Sequence, residues 1–227
     1  MPDEKSCGYH ATLYHGWSNH PDKLMLGCQF EVLGKQEYVL FDGVHYCDFH
    51  LPLLSGDKRL SPKAAWGARK IDEFNSKIFD LIDKNRGENE IADLAGVTFP
   101  RTTDFEDRDK DINFKIYNSP DRSLSGVCFS ETTFYHNVSF ENVVFDPRSI
   151  ISFAKARFFG GVLFSDAKFN GADFKEAHFH SASFWGTSFP GGAEFRGARF
   201  ATHTMFNKSH FGGVARLVEN WRTGVSS

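Results

Sequence analysis

The first fifty residues carry the side chains best suited to chemistry. CGYH (Cys7 to His10) and CDFH (Cys47 to His50) both read C-x-x-H, and Cys28 lies between them. Thiolate and imidazole are the donors of a closed tetrahedral zinc site, and a two-residue spacer lets one turn present both. Cys7, Cys28, Cys47 and His50 form the best four-ligand set, with His10 competing for a place. Cys7 and Cys28 stand twenty-one residues apart, wider than tight zinc patterns, so buried free thiols beside a surface histidine stay open as the other reading. No further group nearby is placed to activate a bound water, which makes any metal here structural.

Catalysis has little else to draw on. The chain has no G-x-S-x-G, H-E-x-x-H, P-loop or G-x-G-x-x-G pattern. Cys128 adjoins a phenylalanine and reads as packing, and the remaining histidines and acids form no recognisable constellation. The sequence therefore reads as that of a non-enzyme.

What must position these residues is visible in the spacing of phenylalanine. Of 25 Phe, 17 fall between Phe129 and Phe211. In DAKFNGADFKEAHFHSASFWGTSF, Phe169, Phe174, Phe179, Phe184 and Phe189 recur by fives, each two residues after Ala167, Ala172, Ala177, Ala182 or Thr187. Helices repeat every 3.6 residues and strands every 2.0, so neither gives a period of five. Four five-residue walls close a square coil of about twenty, with one large and one small residue per wall pointing inward. Steps of six read as bulged walls, and a Pro-containing insertion, Asp146 to Ser149, interrupts the series within the eight-residue step from Phe145 to Phe153.

ADFKE-AHFHS-ASFWG, with ADLAG at Ala92 to Gly96, resembles the pentapeptide-repeat family in its Phe-centred form. That resemblance implies a mostly β fold, a right-handed quadrilateral β-helix, preceded here by a small α+β N-terminal domain. It covers Val127 to Phe211 and extends back through Leu94, Phe99, Phe105, Phe114 and Leu124. HYCDFHLPL likewise resembles a short Cys/His zinc knuckle that some bacterial members carry ahead of the coil. The implied organisation is a Cys/His-containing domain at 1–60, a capping amphipathic helix at 61–87, the β-helix at 88–211, irregular before 127, and a C-terminal cap or tail at 212–227.

Other local signals fit this plan. CQFEVLG and EYVLFDG are strand-like, with Gly34-Lys35 as a hairpin tip. Ser61 is placed as a helix N-cap, Pro62 suits the first turn and Gly87 the stop, while Ile71, Phe74, Ile78 and Leu81 share one stripe. Leu217 and Trp221 would face the last coil. Open coil ends leave unpaired strand edges, hence the expected caps, and an uncapped end offers a surface to a second copy.

Counting four steps per coil, and the eight-residue step as one wall, sorts the outward residues. The first wall (Phe134, Phe158, Phe179, Phe200) presents Thr133, Arg157, His178 and Arg199, a basic column. The second (Phe140, Phe164, Phe184, Phe206) presents Leu163, Trp185 and Met205. The third (Phe145, Phe169, Phe189, Phe211) shows Lys168, Ser188 and His210, and the fourth (Phe129, Phe153, Phe174, Phe195) pairs Asp173 and Glu194 with Lys175 and Arg196. An apolar strip beside a basic column reads as a protein-binding surface.

Charge bears on the best-known activity of the resembled family, mimicry of duplex DNA towards gyrase, a type II topoisomerase. Mimicry needs a strongly acidic rod. Val127 to Phe211 holds seven acids and eight Lys/Arg, a net of +1, whereas residues 1–126 hold twenty-one acids against sixteen bases. Nucleic-acid binding is disfavoured as well, because the basic column is short and no exposed aromatics interleave with it. No apolar run begins the chain or reaches membrane-spanning length, so a cytoplasmic compartment is expected.

Overall fold

The structure, a computed structural model, describes residues 7–9, 28, 30, 37–88, 92–101, 112–124, 126–146 and 150–216. A short strand at each wall pairs in parallel with its counterpart one coil away. The register joins Arg157 to His178 and His178 to Arg199, twenty-one residues per turn. On the first wall five rungs stack, through Thr98, Thr133, Arg157, His178 and Arg199. The chain folds this way because the small residue and the Phe of each step alternate inward. Ala167, Ala172, Ala177 and Ala182 are buried, as are Phe164, Phe174, Phe184 and Phe189.

Inside, the rings form four columns with the expected membership. Phe134, Phe158, Phe179 and Phe200 stack at 5.0–5.1 Å with planes within 8°. The other three columns repeat this, from Phe145 on Phe169 at 4.1 Å to Phe153 on Phe174 at 5.2 Å. The ring spacing follows from the strand spacing of about 4.8 Å. Phe145 and Phe153 each enter their expected columns, so the eight-residue step does count as one wall.

The corners explain which steps vary. From Phe129 onward, every step leaving the second or fourth wall has five residues. At those corners the residue two after the Phe has positive φ, as at Glu131, Asn142, Lys155, Asp166, Glu176 and Lys208 (54–60°). The next amide bonds back to the Phe carbonyl, for example Ala167 N to Phe164 O at 3.0 Å and Ala177 N to Phe174 O at 3.1 Å. Positive φ at the third residue of such a bonded turn is the type II signature, and it fixes the corner's length. Longer steps are confined to the other two corners. Where the six-residue step from Phe158 to Phe164 lies against the five-residue step from Phe179 to Phe184, the strand Arg157–Leu163 shifts register between Phe158 and Gly161. This is the expected bulge.

The coil begins under a cap. β1 (Tyr38–Phe41) and β2 (Val44–Cys47) form an antiparallel hairpin. Its turn is Asp42-Gly43, both at positive φ (52° and 78°), and the Asp-Gly pair there is a strong hairpin signal. The expected tip at Gly34-Lys35 lies outside the described residues. α1 spans Ala68–Glu88, so the helix starts later than Ser61. Ser61 instead precedes a 3-10 turn, Pro62–Ala65, and its side chain makes no capping bond. The chain then leaves helical geometry at Trp66 (ψ 131°) before α1 begins. Ile71, Phe74, Ile78 and Leu81 are buried as the stripe requires. Phe74 and Phe79 lay their edges on Phe99 and Phe114, the first rings of two columns. Phe105, Leu217 and Trp221 lie outside the described residues. Among those described, no helix is long and apolar enough to cross a membrane.

Candidate metal centre and binding surface

The end of β2 and the turn after it carry Cys47 and His50 on one side. Leu51 N bonds Cys47 O at 2.9 Å, closing the turn and bringing Cys47 Sγ to 3.4 Å from His50 Nδ1. Residues 7–9 lie against β2 through Gly8 N to His45 O (2.7 Å). This places Cys7 Sγ 3.5 Å from His50 Nδ1, and Cys28 Sγ lies 3.5 Å from Cys47 Sγ. All four donor atoms lie within 4.8 Å of one another. A tetrahedral centre with bonds of about 2.3 Å to sulfur and 2.0 Å to nitrogen separates its ligands by roughly 3.5–3.8 Å. The four side chains therefore fit such a centre. The wide Cys7–Cys28 spacing does not prevent it, because the fold rather than one loop brings the donors together. His10 lies outside the described residues.

The surroundings orient the donors. His50 Nε2 is 3.2 Å from Ala95 O. A carbonyl can only accept, so Nε2 carries the proton and Nδ1 faces the sulfurs with its lone pair. Tyr9 stacks on the imidazole at 4.0 Å and Phe30 meets it edge-on at 5.4 Å. Tyr9 also lies so close to Gly96 that a Cβ there would sit 2.1 Å from its ring. Hydrogen bonds from Cys28 and Cys47 hold the Cys7 thiol well below the usual thiol range. The same contacts and burial push the Cys28 thiol up, and Cys47 is raised to about 11, so without a cation the three sulfurs share one thiolate. Cys128 behaves differently: burial pushes its thiol up to about 12, and it donates to Ser130 Oγ, as a packed cysteine should.

The cluster is built onto the coil. Thr98 N donates to Phe49 O at 2.9 Å, in the position that Val97 O occupies for Thr133 one rung further on (2.8 Å). The Cys47–His50 turn thus supplies the missing strand partner of the first rung. Lys63, fully buried, donates from Nζ to Asp48 O and Phe49 O within that same turn. Burial lowers its ammonium to about 7 against the opposing pull of Asp48 and Cys47.

On the outer walls Arg157, His178 and Arg199 occupy neighbouring strands in register and are exposed. None forms an ion pair among the described residues. Burial, then Arg199 and Arg157, lower the His178 pKa. The second wall is less uniform than expected. Leu163 and Met205 each pair with Ser183, which is buried between them, and Trp185 sits in the turn after Phe184 under Lys208 Nζ (4.7 Å from its ring). All three apolar side chains are exposed, at 38–49%, but they do not form one row. On the fourth wall Asp173 meets Lys175, and Glu194 meets Arg196 and Arg216, each at 3.4–3.5 Å.

Among the described residues no aromatic interleaves with the column itself, but one exposed ring lies beside it. Phe159, 52% exposed, stacks on Tyr135 at 4.7 Å on the corner next to Arg157. The doublet Phe158-Phe159 carried the signal, because adjacent strand residues face opposite ways. The pair borders a groove of about 570 Å³ that also touches Arg101, His136, Asn137 and His180. Gly160 makes room: a Cβ there would lie 2.4 Å from His136 backbone atoms. Asn137 Oδ1 accepts from Gly161 N at 2.8 Å and pins the bulge.

No curated protein and no solved structure matches the chain. Residues 164–210 match the family model for pentapeptide repeats in nine copies. Two of the four Phe columns continue that register back to Phe99 and Phe114, and the coil as a whole is a β-solenoid of the form such repeats build.

Proposed function

We propose that this chain is a non-enzymatic scaffold that docks an acidic protein surface on the corner between its first and second walls. The observation that carries this is the row Arg157–His178–Arg199, held by strand register and without ion pairs among the described residues, beside exposed Phe159 stacked on half-buried Tyr135. Cations left unpaired on a rigid scaffold steer and select an oppositely charged partner, and flanking aromatic and apolar side chains supply contact area. Leu163, Met205 and Trp185 extend that area around the second wall.

The test uses proteins recovered with the wild-type chain and then purified. Arg157→Glu with Arg199→Glu should weaken the direct complex at least about tenfold and flatten its salt dependence. A partner set unchanged by these substitutions together with Trp185→Ala would rule the surface out. The second reading, a duplex mimic acting on a type II topoisomerase, has less support because the fourth-wall acids are neutralised by Lys175, Arg196 and Arg216. Inhibition in a supercoiling assay would revive it.

For the N-terminal site we infer zinc with a structural role, held by Cys7, Cys28, Cys47 and His50. Three soft thiolates and one imidazole at tetrahedral separations suit that ion. When bound, it would tie three segments of the cap together against the first rung. Metal analysis of the purified protein decides: about one zinc per chain should be found, and lost in Cys47→Ser.

A further inference from the structure

Lys63 is a buried amine with no ion-pair partner among the described residues. Its side chain is fully buried, and its ammonium touches two carbonyl oxygens, Asp48 O and Phe49 O, and the faces of Phe74 (4.3 Å) and Trp66 (5.2 Å). Among the described residues it forms no ion pair, and the nearest carboxylate, Asp48, is engaged by Lys70 at 3.7 Å. Carbonyls and rings solvate an ammonium but do not cancel its charge, and an uncompensated buried charge is costly. The compensation must lie nearby.

The cluster next to it has the opposite imbalance. Three thiolates and a neutral imidazole around a divalent ion sum to one negative charge, also buried. Asp48 and Phe49 are the two residues between the ligands Cys47 and His50, so Lys63 grips the turn that carries half of the donor set.

We propose that Lys63 is the built-in counter-charge of the metal cluster, an outer-shell cation that balances the tris-thiolate site and holds the Cys47–His50 turn in ligand geometry. This rests on the metal reading given above. The charge, not the packing, is the active property: the pair Lys63 and loaded cluster is neutral, whereas either alone leaves a net charge inside the cap.

The experiment measures metal affinity of the full chain, by Co²⁺ absorption and by Zn²⁺ competition with a chromophoric chelator. Lys63→Met removes charge and hydrogen bonds, Lys63→Gln keeps donors for the two carbonyls without the charge, and Trp66→Leu disturbs packing and one ring contact while leaving the charge in place. Both Lys63 variants should bind about 10–100-fold more weakly, the range typical of outer-shell losses, with Trp66→Leu close to wild type. Wild-type affinity in Lys63→Met or Lys63→Gln, or an equal loss in Trp66→Leu, overturns the proposal. If the wild type itself binds neither ion, the metal reading fails first. Should the Lys63 variants not fold, the wild type suffices. The ¹⁵N-detected Lys63 ammonium signal should be present in the zinc-loaded chain at neutral pH, and its absence there would refute the counter-charge.

Discussion

Truncating Phe174 to alanine tests whether the coil is held by its ring columns. Phe174 is fully buried, stacks between Phe153 (5.2 Å) and Phe195 (4.8 Å), and meets Phe164 and Phe184 edge-on at 5.6 Å. A buried Phe→Ala change costs about 3–5 kcal/mol, and each aromatic pair adds roughly 0.5–1.5 kcal/mol beyond area. Its many ring partners place Phe174 at the upper end, about 5 kcal/mol. Phe206, half-buried in the last full coil, stacks on Phe184 (4.7 Å) from one side, so Phe206→Ala should cost about half as much. For a chain of this size 1 kcal/mol moves Tm by roughly 2–4 °C, giving about 10–20 °C for Phe174→Ala and 5–10 °C for Phe206→Ala. Calorimetry or thermal circular dichroism of both variants reads the difference. Equal losses at the two positions, or less than about 2 kcal/mol at Phe174, would show that the columns are not the source of cohesion.

Three further outcomes are expected. Asp173 is almost fully buried and burial raises its carboxyl pKa, with Glu194 adding a smaller push. A raised folded value favours the native state below the usual carboxylate pKa of about 3.9, a benefit lost as pH rises through the folded value. Asp173→Asn, which keeps an acceptor for Lys175 N, should therefore match or exceed wild-type stability at pH 7 and lose that advantage at pH 4. Denaturation midpoints at both pH values check this. Arg199→Ala should raise the His178 pKa towards its ordinary value, and an NMR titration that finds it unchanged contradicts the row. Chelation should speed amide exchange at Thr98, whose partner is Phe49 O, while amides around Phe174 keep their protection.

How much of this was legible depended on the range of the interaction. The Phe columns were readable to the ring, because one inward residue per step leaves no freedom in which rings can meet. The basic row was legible for the same reason. Trp185 was misplaced because it follows its Phe instead of preceding it, and a corner turns it away from Leu163 and Met205. The helix start was missed because Trp66 and Gly67 break a pattern that Ser61-Pro62 opens plausibly. The cluster's ligands could be guessed by type, yet their convergence depends on Gly8 lying against β2 and on His50 reaching Ala95, contacts across 37 and 45 residues that no local spacing encodes. Lys63 gave no signal at all, since its partners are backbone oxygens.

The constant five-residue step at two corners gives the coil an unusual response to deletion. Removing the twenty-one residues of one full turn would shorten the rod and leave every outer row aligned. Removing only Trp185 to Phe195, two steps, would also keep each remaining ring inside and each five-residue corner in place, but all that follows would rotate by half a revolution. Arg199 would leave its place beside His178, and His210 would arrive there instead. A mutational event invisible to the core can thus exchange one binding face for another, so coils of this kind can diversify their surfaces by changes in length as readily as by changes in residue.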